Sequence, residues 1–274
     1  MIMPHQSDIL DLMNDYKSRG EPFALATVVR TVSVTAAKAG AKAVILADGT
    51  ITDGWIGGGC ARGAVLKAAR EALADGQSRL VSIQPEDQLS EHRVKSGELR
   101  EGVLYARNHC PSQGTMDVFV EPVLPRPNLL ICGASPVAVA LADLARRMGF
   151  FITVCAPAAD HGSFGETDRL IDGYELPAGG SERDYVVIAT QGRGDSAALK
   201  AAVQMPAKYL AFVGSRKKAA ALKADLEGSG IPSAQLDAIH APAGLDIGAI
   251  TPDEIAFSIV AEMIEIRRRG QRTL

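Results

Sequence analysis

The chain has 274 residues, with 29 Lys plus Arg against 32 Asp plus Glu and a formal net charge of −3. Hydrophobic residues make up 47%, charged residues 22% and aromatic residues 5%. These figures exclude bulk disorder, and they argue against a nucleic-acid protein held by a basic face or by stacked aromatics. At about 150 residues per domain, the length fits one large domain or two small ones.

No apolar run reaches the length of a membrane span, and the first residues carry no basic region followed by an apolar core. Four cysteines are too few for a disulfide scaffold. The expected setting is a reducing cytoplasm, so each thiol needs its own explanation.

The first predicted element is a helix through Ile9, Leu10, Leu12, Met13 and Tyr16, capped by Ser7 and stopped by Gly20. Phe23 to Val32 is apolar and β-branched and reads as a strand. A small, polar stretch with Lys38 follows, Ser33 to Gly40. Ala43 to Ala47 is a second strand, and Asp48-Gly49 turns into a third. Gly57-Gly58-Gly59-Cys60 precedes an amphipathic helix from about Ala61 to Ala74, with Val65, Leu66, Ala69 and Leu73 on one face. Gly76 ends it. Leu80, Val81 and Ile83 form a short strand. Gln84 to Gly102 reads as a charged, irregular excursion, and Met116 to Val123 as another strand. Pro122, Pro125 and Pro127 cannot continue a central strand, so the domain boundary is placed there, giving residues 1–124 and 125–274.

Beyond Pro127 strands and helices alternate. Strands are predicted at Leu129 to Cys132, Phe151 to Cys155, Tyr185 to Ala189 and Tyr209 to Val213. Helices are predicted at Pro136 to Met148, Ser196 to Gln204 and Arg216 to Leu226. A last helix opens on the capping box Thr251-Pro252-Asp253-Glu254 and runs to Arg267-Arg268-Arg269. This alternation means a parallel sheet with helices on both faces. The predicted fold class is α/β: a smaller α+β domain followed by a Rossmann-like domain.

Two turns in the second half are candidate phosphate sites. Gly133-Ala134-Ser135-Pro136 joins a strand to a helix, as in a dinucleotide fold. Ser135 and Ala138 stand where the second and third glycines belong, and Cys155-Ala156-Pro157 replaces the acid that holds the ribose. The turn reads either as a weakened NAD(P) site or as a fold without one. Gly214-Ser215-Arg216-Lys217 also follows a strand and opens a helix, where amides and cations meet an anion. The plainer reading is a glycine turn with solvated basic residues.

The thiols differ in setting. Cys60 begins a helix after three glycines, where the helix dipole favours the thiolate and the glycines leave room for a bulky ligand. A thiolate is a soft ligand for a soft metal centre. The alternative is a small buried residue beside a tight turn. Cys110 lies in the loop Asn108-His109-Cys110-Pro111-Ser112-Gln113-Gly114 and offers a second thiol, with His109 beside it as a base or a plain loop residue. No cysteine pair has zinc-site spacing, and no metal-ligand set is assigned. Cys132 reads as core, and Cys155 ends a strand, where packing is the simpler account.

Taken together these motifs resemble the XdhC/CoxI family. The resemblance rests on Gly40-Ala41-Lys42, Gly57-Gly58-Gly59-Cys60 and the run from Cys110 through Glu121-Pro122. It continues through Gly214-Ser215-Arg216-Lys217, His240-Ala241-Pro242-Ala243-Gly244-Leu245-Asp246-Ile247-Gly248-Ala249 and Thr251-Pro252-Asp253-Glu254-Ile255-Ala256. Gly-Gly-Cys-x-Arg, with Arg62, looks more like the carbon monoxide dehydrogenase accessory branch than the xanthine dehydrogenase branch. The family's usual Gly-Ala-Gly-His is Gly133-Ala134-Ser135-Pro136 here, and its Thr-His-Asp stretch is Thr190-Gln191-Gly192-Arg193-Gly194-Asp195.

The resemblance implies a maturation factor for a molybdenum hydroxylase of the xanthine or carbon monoxide dehydrogenase type. Such a factor would bind the molybdenum cofactor (molybdopterin) and assist its sulfuration, completion or insertion. Cys60 and Cys110 become cofactor-contacting thiols, and Gly57, Gly58 and Gly59 a backbone cradle. Ser215 and Arg216 become a phosphate site and Asp246 a polar group at an interdomain cleft; Gly133, Ser135 and Gly214 stand beside them as candidate cofactor-binding residues. Implied partners are the apo-hydroxylase and a sulfur donor protein, with no nucleic acid and no membrane span; a homodimer fits the commonest oligomer. The other reading is an NAD(P)-dependent oxidoreductase using the second domain.

Overall fold

The computed structural model describes residues 9–110, 113–177 and 179–269; the side chain of Cys60, and Ser7 before the first helix, lie outside the described residues. The chain divides into two compact units, one ending at Pro125 and the other beginning at Arg126.

The first unit is built on a seven-stranded mixed sheet. Its elements are α1 (Ile9–Arg19), β1 (Phe23–Val32), β2 (Lys42–Leu46), β3 (Ile51–Gly54), α2 (Gly59–Asp75), β4 (Arg79–Gln84), α3 (Glu86–Glu91), β5 (Leu99–Arg100), β6 (Val103–Arg107) and β7 (Thr115–Val123). The strand order is β3-β2-β1-β7-β4-β6-β5, with β4 and β6 parallel and the other pairs antiparallel. Alternation decides the faces. Ala24, Ala26 and Val28 of β1, Val81 and Ile83 of β4, and Met116, Val118 and Val120 of β7 meet Val65, Ala69, Ala72 and Leu73 of α2 in one core. On the opposite face Phe23 and Val44 take the apolar side of α1 around Tyr16. The same face farther along is polar. Asp117 accepts from Arg30 at 2.6 Å and from the Ser82 hydroxyl at 2.6 Å, and Gln84 donates to Ser82 at 2.8 Å.

The structure corrects three expectations here. The stretch from Gln84 to Gly102 is not irregular throughout, since it holds α3 and β5. The strand β6 carries no strong alternation and went unseen. The residue Pro122 does continue a strand: β7 runs to Val123, and Pro122 pairs with Ala24 of β1. On the other side β4 reaches only to the Arg79–Val120 pair, so at Pro122 the missing N–H faces a side with no neighbouring strand.

The second unit has a five-stranded parallel sheet in the order β10-β9-β8-β11-β12. Its elements are β8 (Asn128–Cys132), α4 (Pro136–Arg147), β9 (Phe151–Ala156), a 3-10 turn (Ala158–Ser163), β10 (Arg169–Asp172), β11 (Tyr185–Ile188), α5 (Asp195–Val203), β12 (Tyr209–Phe212), α6 (Arg216–Gly228), α7 (Ser233–Asp237) and α8 (Pro252–Arg268). Successive residues of the buried strands serve opposite faces. Leu129, Ile131, Ile152, Val154 and Val187 pack with α4 and α8. Leu130, Cys132, Cys155, Val186 and Ile188 pack with α5, α6 and α7. This unit is a Rossmann-type layer structure, which the sequence pattern predicts; that pattern left out β10, the third of its strands in chain order, together with α7 and the 3-10 turn.

Helix ends follow local chemistry. Ser135 caps α4 by accepting from the Ala138 N–H, with Pro136 in the first turn. Thr251 and Glu254 form the reciprocal box at α8. Beyond β12 the chain adds a further parallel bridge at His240, whose N–H donates to Leu210 O and whose carbonyl accepts from Phe212 N–H, both at 2.9 Å. Glu262 of α8 then clamps this segment. One carboxylate oxygen lies 2.7 Å from His240 Nδ1; the other accepts from the Tyr209 hydroxyl at 2.5 Å and from the Gly244 N–H at 2.9 Å.

Gly244 has φ +92°, and an added Cβ would meet Ser258 Oγ, with Ile259 N at 3.0 Å. Gly244→Ala is expected to lower unfolding free energy by at least about 2 kcal/mol, measured by urea denaturation. Burial alone would raise the carboxyl pKa of Glu262, but the bonds from His240, Tyr209 and Gly244 outweigh it and hold the pKa below the usual 4.5. A depressed acid stabilises the fold above its unfolded value and loses that contribution as pH falls through its folded value. Below about pH 4.5 wild-type stability should therefore fall more steeply with pH than that of Glu262→Gln.

Candidate functional site

The glycine loop and the Cys110 loop meet at one cavity in the first unit. Its volume is about 230 Å3, and its lining includes Thr35, Gly57, Gly58, Gly59, Asn108, Cys110 and Met116. The sheet order brings them together. In that order β4 lies between β6 and β7, so the loop from β6 to β7 crosses the end of β4 beside the start of α2. The Asn108 N–H donates to Gln84 O at 2.7 Å, tying this loop to the end of β4. The Asn108 side chain then closes the loop on itself: Oδ1 accepts from Cys110 N–H at 2.9 Å and Nδ2 donates to Gly114 O at 2.7 Å. Asn108 went unremarked in the sequence beside its cysteine and histidine neighbours, although Asn two residues before another loop residue is an Asx-turn signal.

The three glycines have separate jobs. Gly57 has φ +104°, a conformation that side-chain-bearing residues rarely adopt. Gly58 and Gly59 have nothing within 4 Å of an added Cβ, so that side is open. The helix begins earlier than the sequence suggests: Gly59 and Cys60 are its first two residues. Gly58 at the N-cap supplies no side-chain bond, and no acid stands in the first turn. Among the described residues no side chain accepts from the leading N–H groups of α2, which lie at a cavity, an arrangement that favours an anionic group. Cys60 is placed there by its backbone position.

The candidate residues of the second unit fall into two places. The first is the β8–α4 turn. Gly133 has φ +115°, and a Cβ there would run into the Ala189 carbonyl, with Thr190 Cα at 2.7 Å. Its glycine is required by backbone packing between the ends of β8 and β11. Ser135 is buried and its oxygen serves the helix cap. The second place is a cavity of about 450 Å3 that contains Gly214, Arg216 and Asp246 among apolar residues such as Leu245 and Ile255. Arg216 and Asp246 form an ion pair at 3.2 Å with side chains 81% and 84% exposed, a pairing worth little in water. Ser215 caps α6 by accepting from Lys218 N–H at 3.2 Å.

Sequence reasoning missed a polar knot at the end of β11. Asp195 is buried and accepts from the Thr190 hydroxyl, from the Gly192 N–H and from Lys218. Burial opposes its ionisation, but these three donors outweigh that and hold its carboxyl below the usual range. The knot ties the first turns of α5 and α6 to the loop after β11. Its signal was an acid just after Gly192-Arg193-Gly194.

The two remaining thiols are inert. Cys132 and Cys155 are register partners on β8 and β9, both fully buried. Burial pushes the Cys132 thiol up to about 12 and the Cys155 thiol up to about 11. Among the described residues no group of three or more His, Cys, Asp or Glu could hold a metal ion, and no helix is long and apolar enough to cross a membrane. Alkylation of the native protein with iodoacetamide should modify the exposed Cys110 and spare Cys132 and Cys155 until denaturant is added, read by peptide mass spectrometry. Gly58→Ala should change stability by no more than about 0.5 kcal/mol, whereas Gly57→Ala should cost about 1–3 kcal/mol, both by thermal unfolding.

Comparison with known proteins adds an independent line. A family model described as the XdhC Rossmann domain matches residues 129–263, and one described as the XdhC and CoxI family matches residues 17–84. An uncharacterised protein of Escherichia coli K12, YqeB, is 29% identical over 91% of this chain and 44% of its own length. A protein of Bacillus subtilis 168 named as a probable xanthine dehydrogenase subunit is 32% identical over 57% of this chain and 47% of its own length. The chain thus spans less than half the length of these curated relatives. A crystal structure described as a xanthine dehydrogenase from Bacillus halodurans aligns over 95% of this chain and 96% of that one, with a TM-score of 0.47 and 20% identity. With both halves matched by models of one family, the chain belongs to the XdhC and CoxI family.

Proposed function

We propose that this chain is an accessory factor for a molybdenum-containing hydroxylase of the xanthine dehydrogenase type, and that it holds the molybdenum cofactor at the first unit's cavity. The observation that carries the proposal is the meeting of the Gly57-Gly58-Gly59 loop, the uncapped start of α2 and Cys110 around one cavity. Family membership and a relative named for xanthine dehydrogenase support the type of client.

The residues suit such a group. The lining is largely apolar, with Met116, Ile83 and Ala61 beside the glycines, which suits a polarisable sulfur-rich end. The open side at Gly58 and Gly59 gives that end room. The leading amides of α2 face an anionic centre, and the helix dipole favours a thiolate at Cys60. When bound, the cofactor supplies the metal and its sulfur chemistry; the chain supplies shape, amides and thiols. Arg62 in the same first turn adds a positive charge without a neighbouring acid in that turn. Completion or sulfuration of the metal site and delivery to the client belong to this same proposal, as does a carbon monoxide dehydrogenase type of client.

Protein purified from a host that makes the cofactor should retain molybdenum and a fluorescent pterin in near-equal amounts. Cys60→Ala should lower that retention and the activity of the matured client by about tenfold or more, because it removes a thiolate from the metal end. Equal maturation by Cys60→Ala and wild type would sink the thiol role.

A further inference from the structure

The first unit carries a second cavity, of about 310 Å3, that neither the glycine loop nor the thiols explain. Its lining residues are sequence neighbours of those that line the first. Along α2, Ala61 lines the first cavity, while Gly63, Ala64 and Lys67 line the second. Along the chain leaving β6, Asn108 and Cys110 line the first, while Arg107 and His109 line the second. The segment from Arg107 to Cys110 thus contributes to both linings.

The charges in this second cavity are of one sign. Lys67 and His109 make no ion pair or hydrogen bond among the described residues. Among the described residues Arg107 is matched only by Glu86, at 3.0 Å, and about half of each side chain is in water. Ser96, also in the lining, accepts from the Arg107 N–H at 3.1 Å and keeps its own hydroxyl proton to donate. The alternative anion site at Arg216 is weaker on the same physics. There Asp246 shares the cavity at 3.2 Å from Arg216, and its carboxylate would stand against a phosphate dianion.

We infer that the second cavity is an anion subsite that takes a phosphate monoester through Lys67, Arg107 and the Ser96 hydroxyl, with His109 at its rim. The inference rests on the proposed reading: the phosphate is that of the same pterin ligand whose metal–sulfur end fills the neighbouring cavity. It moves the phosphate contact from the second unit to the first. It also makes Glu86 a competitor, since the anion must displace this carboxylate from Arg107.

The test is calorimetric titration of the full chain with inorganic phosphate and with a simple phosphate monoester at low ionic strength. Lys67→Ala and Arg107→Ala should each weaken binding by about tenfold, as loss of one charge-assisted contact does. Arg216→Ala should leave it unchanged. Glu86→Gln should tighten it several-fold, a gain that a misfolded protein cannot mimic. Binding that survives both Lys67→Ala and Arg107→Ala, or that disappears in Arg216→Ala, overturns the assignment. Phosphate binding with the expected dependences, in a protein that retains no pterin, upholds the subsite and removes the ligand reading. Pterin retention that is indifferent to Lys67 and Arg107 upholds the ligand reading and removes the subsite.

Discussion

The start of α2 is the constraint around which the first unit is arranged. A helix of this length needs something to meet its leading N–H groups. In the second unit three helices meet these groups with a capping side chain, Ser135 at α4, Ser215 at α6 and Thr251 at α8, while α5 follows Gly194 uncapped but carries Asp195 in its first turn. At α2 the cap position is Gly58, which has no side chain to offer. The helix is held in place from its flank, by Val65, Ala69 and Leu73 against the sheet, and from its far end by Gly76 in a left-handed conformation. Packing therefore keeps the helix where capping does not, and its first turn stays available to a ligand.

The second unit shows the opposite economy. Its strand order, with a strand-to-helix turn after β8, is that of a nucleotide-binding layer structure, though the turn keeps only the first glycine of the fingerprint. Yet Gly133 is committed to the close approach of β8 and β11, the Ser135 oxygen to a cap, and the loop after β11 to the Asp195–Lys218 knot. The polar groups at the carboxyl ends of these strands are thus bonded to one another. What the fold uses at these places is rigidity, carried by the buried Asp195, which stays ionised because Lys218, Thr190 and Gly192 surround it as donors.

Much of the architecture was legible because alternation and caps are local signals. The strands β1, β4 and β8, the stop at Gly76 and the box at Thr251 all follow from residues within a few positions of one another. What was not legible depended on partners far away in sequence. Pro122 sits in a paired strand because β4 ends before reaching it, which only the strand order reveals. The strand β6 pairs in parallel with β4 and shows no simple inside-outside pattern. The glycines and Cys110 stood out as residue types, but Asn108, Met116 and Thr35 joined them only through the sheet order. In the Rossmann-type unit the degraded fingerprint was visible in sequence, whereas the packing reason for Gly133 was not.

Glu262 fixes two points of one loop, at His240 and Gly244, to a helix and a strand at once. The chain between those points cannot change length without breaking the clamp. Beyond Gly244 the restraint is looser: Ile247 and Ile250 are exposed, and Gly248 has an open surrounding. The consequence is a sharp border of tolerance to insertions. Residues can be added around Gly248 and Ala249 while the fold persists, up to Ile250, whose N–H Glu254 of α8 already holds, and the segment from His240 to Gly244 admits none.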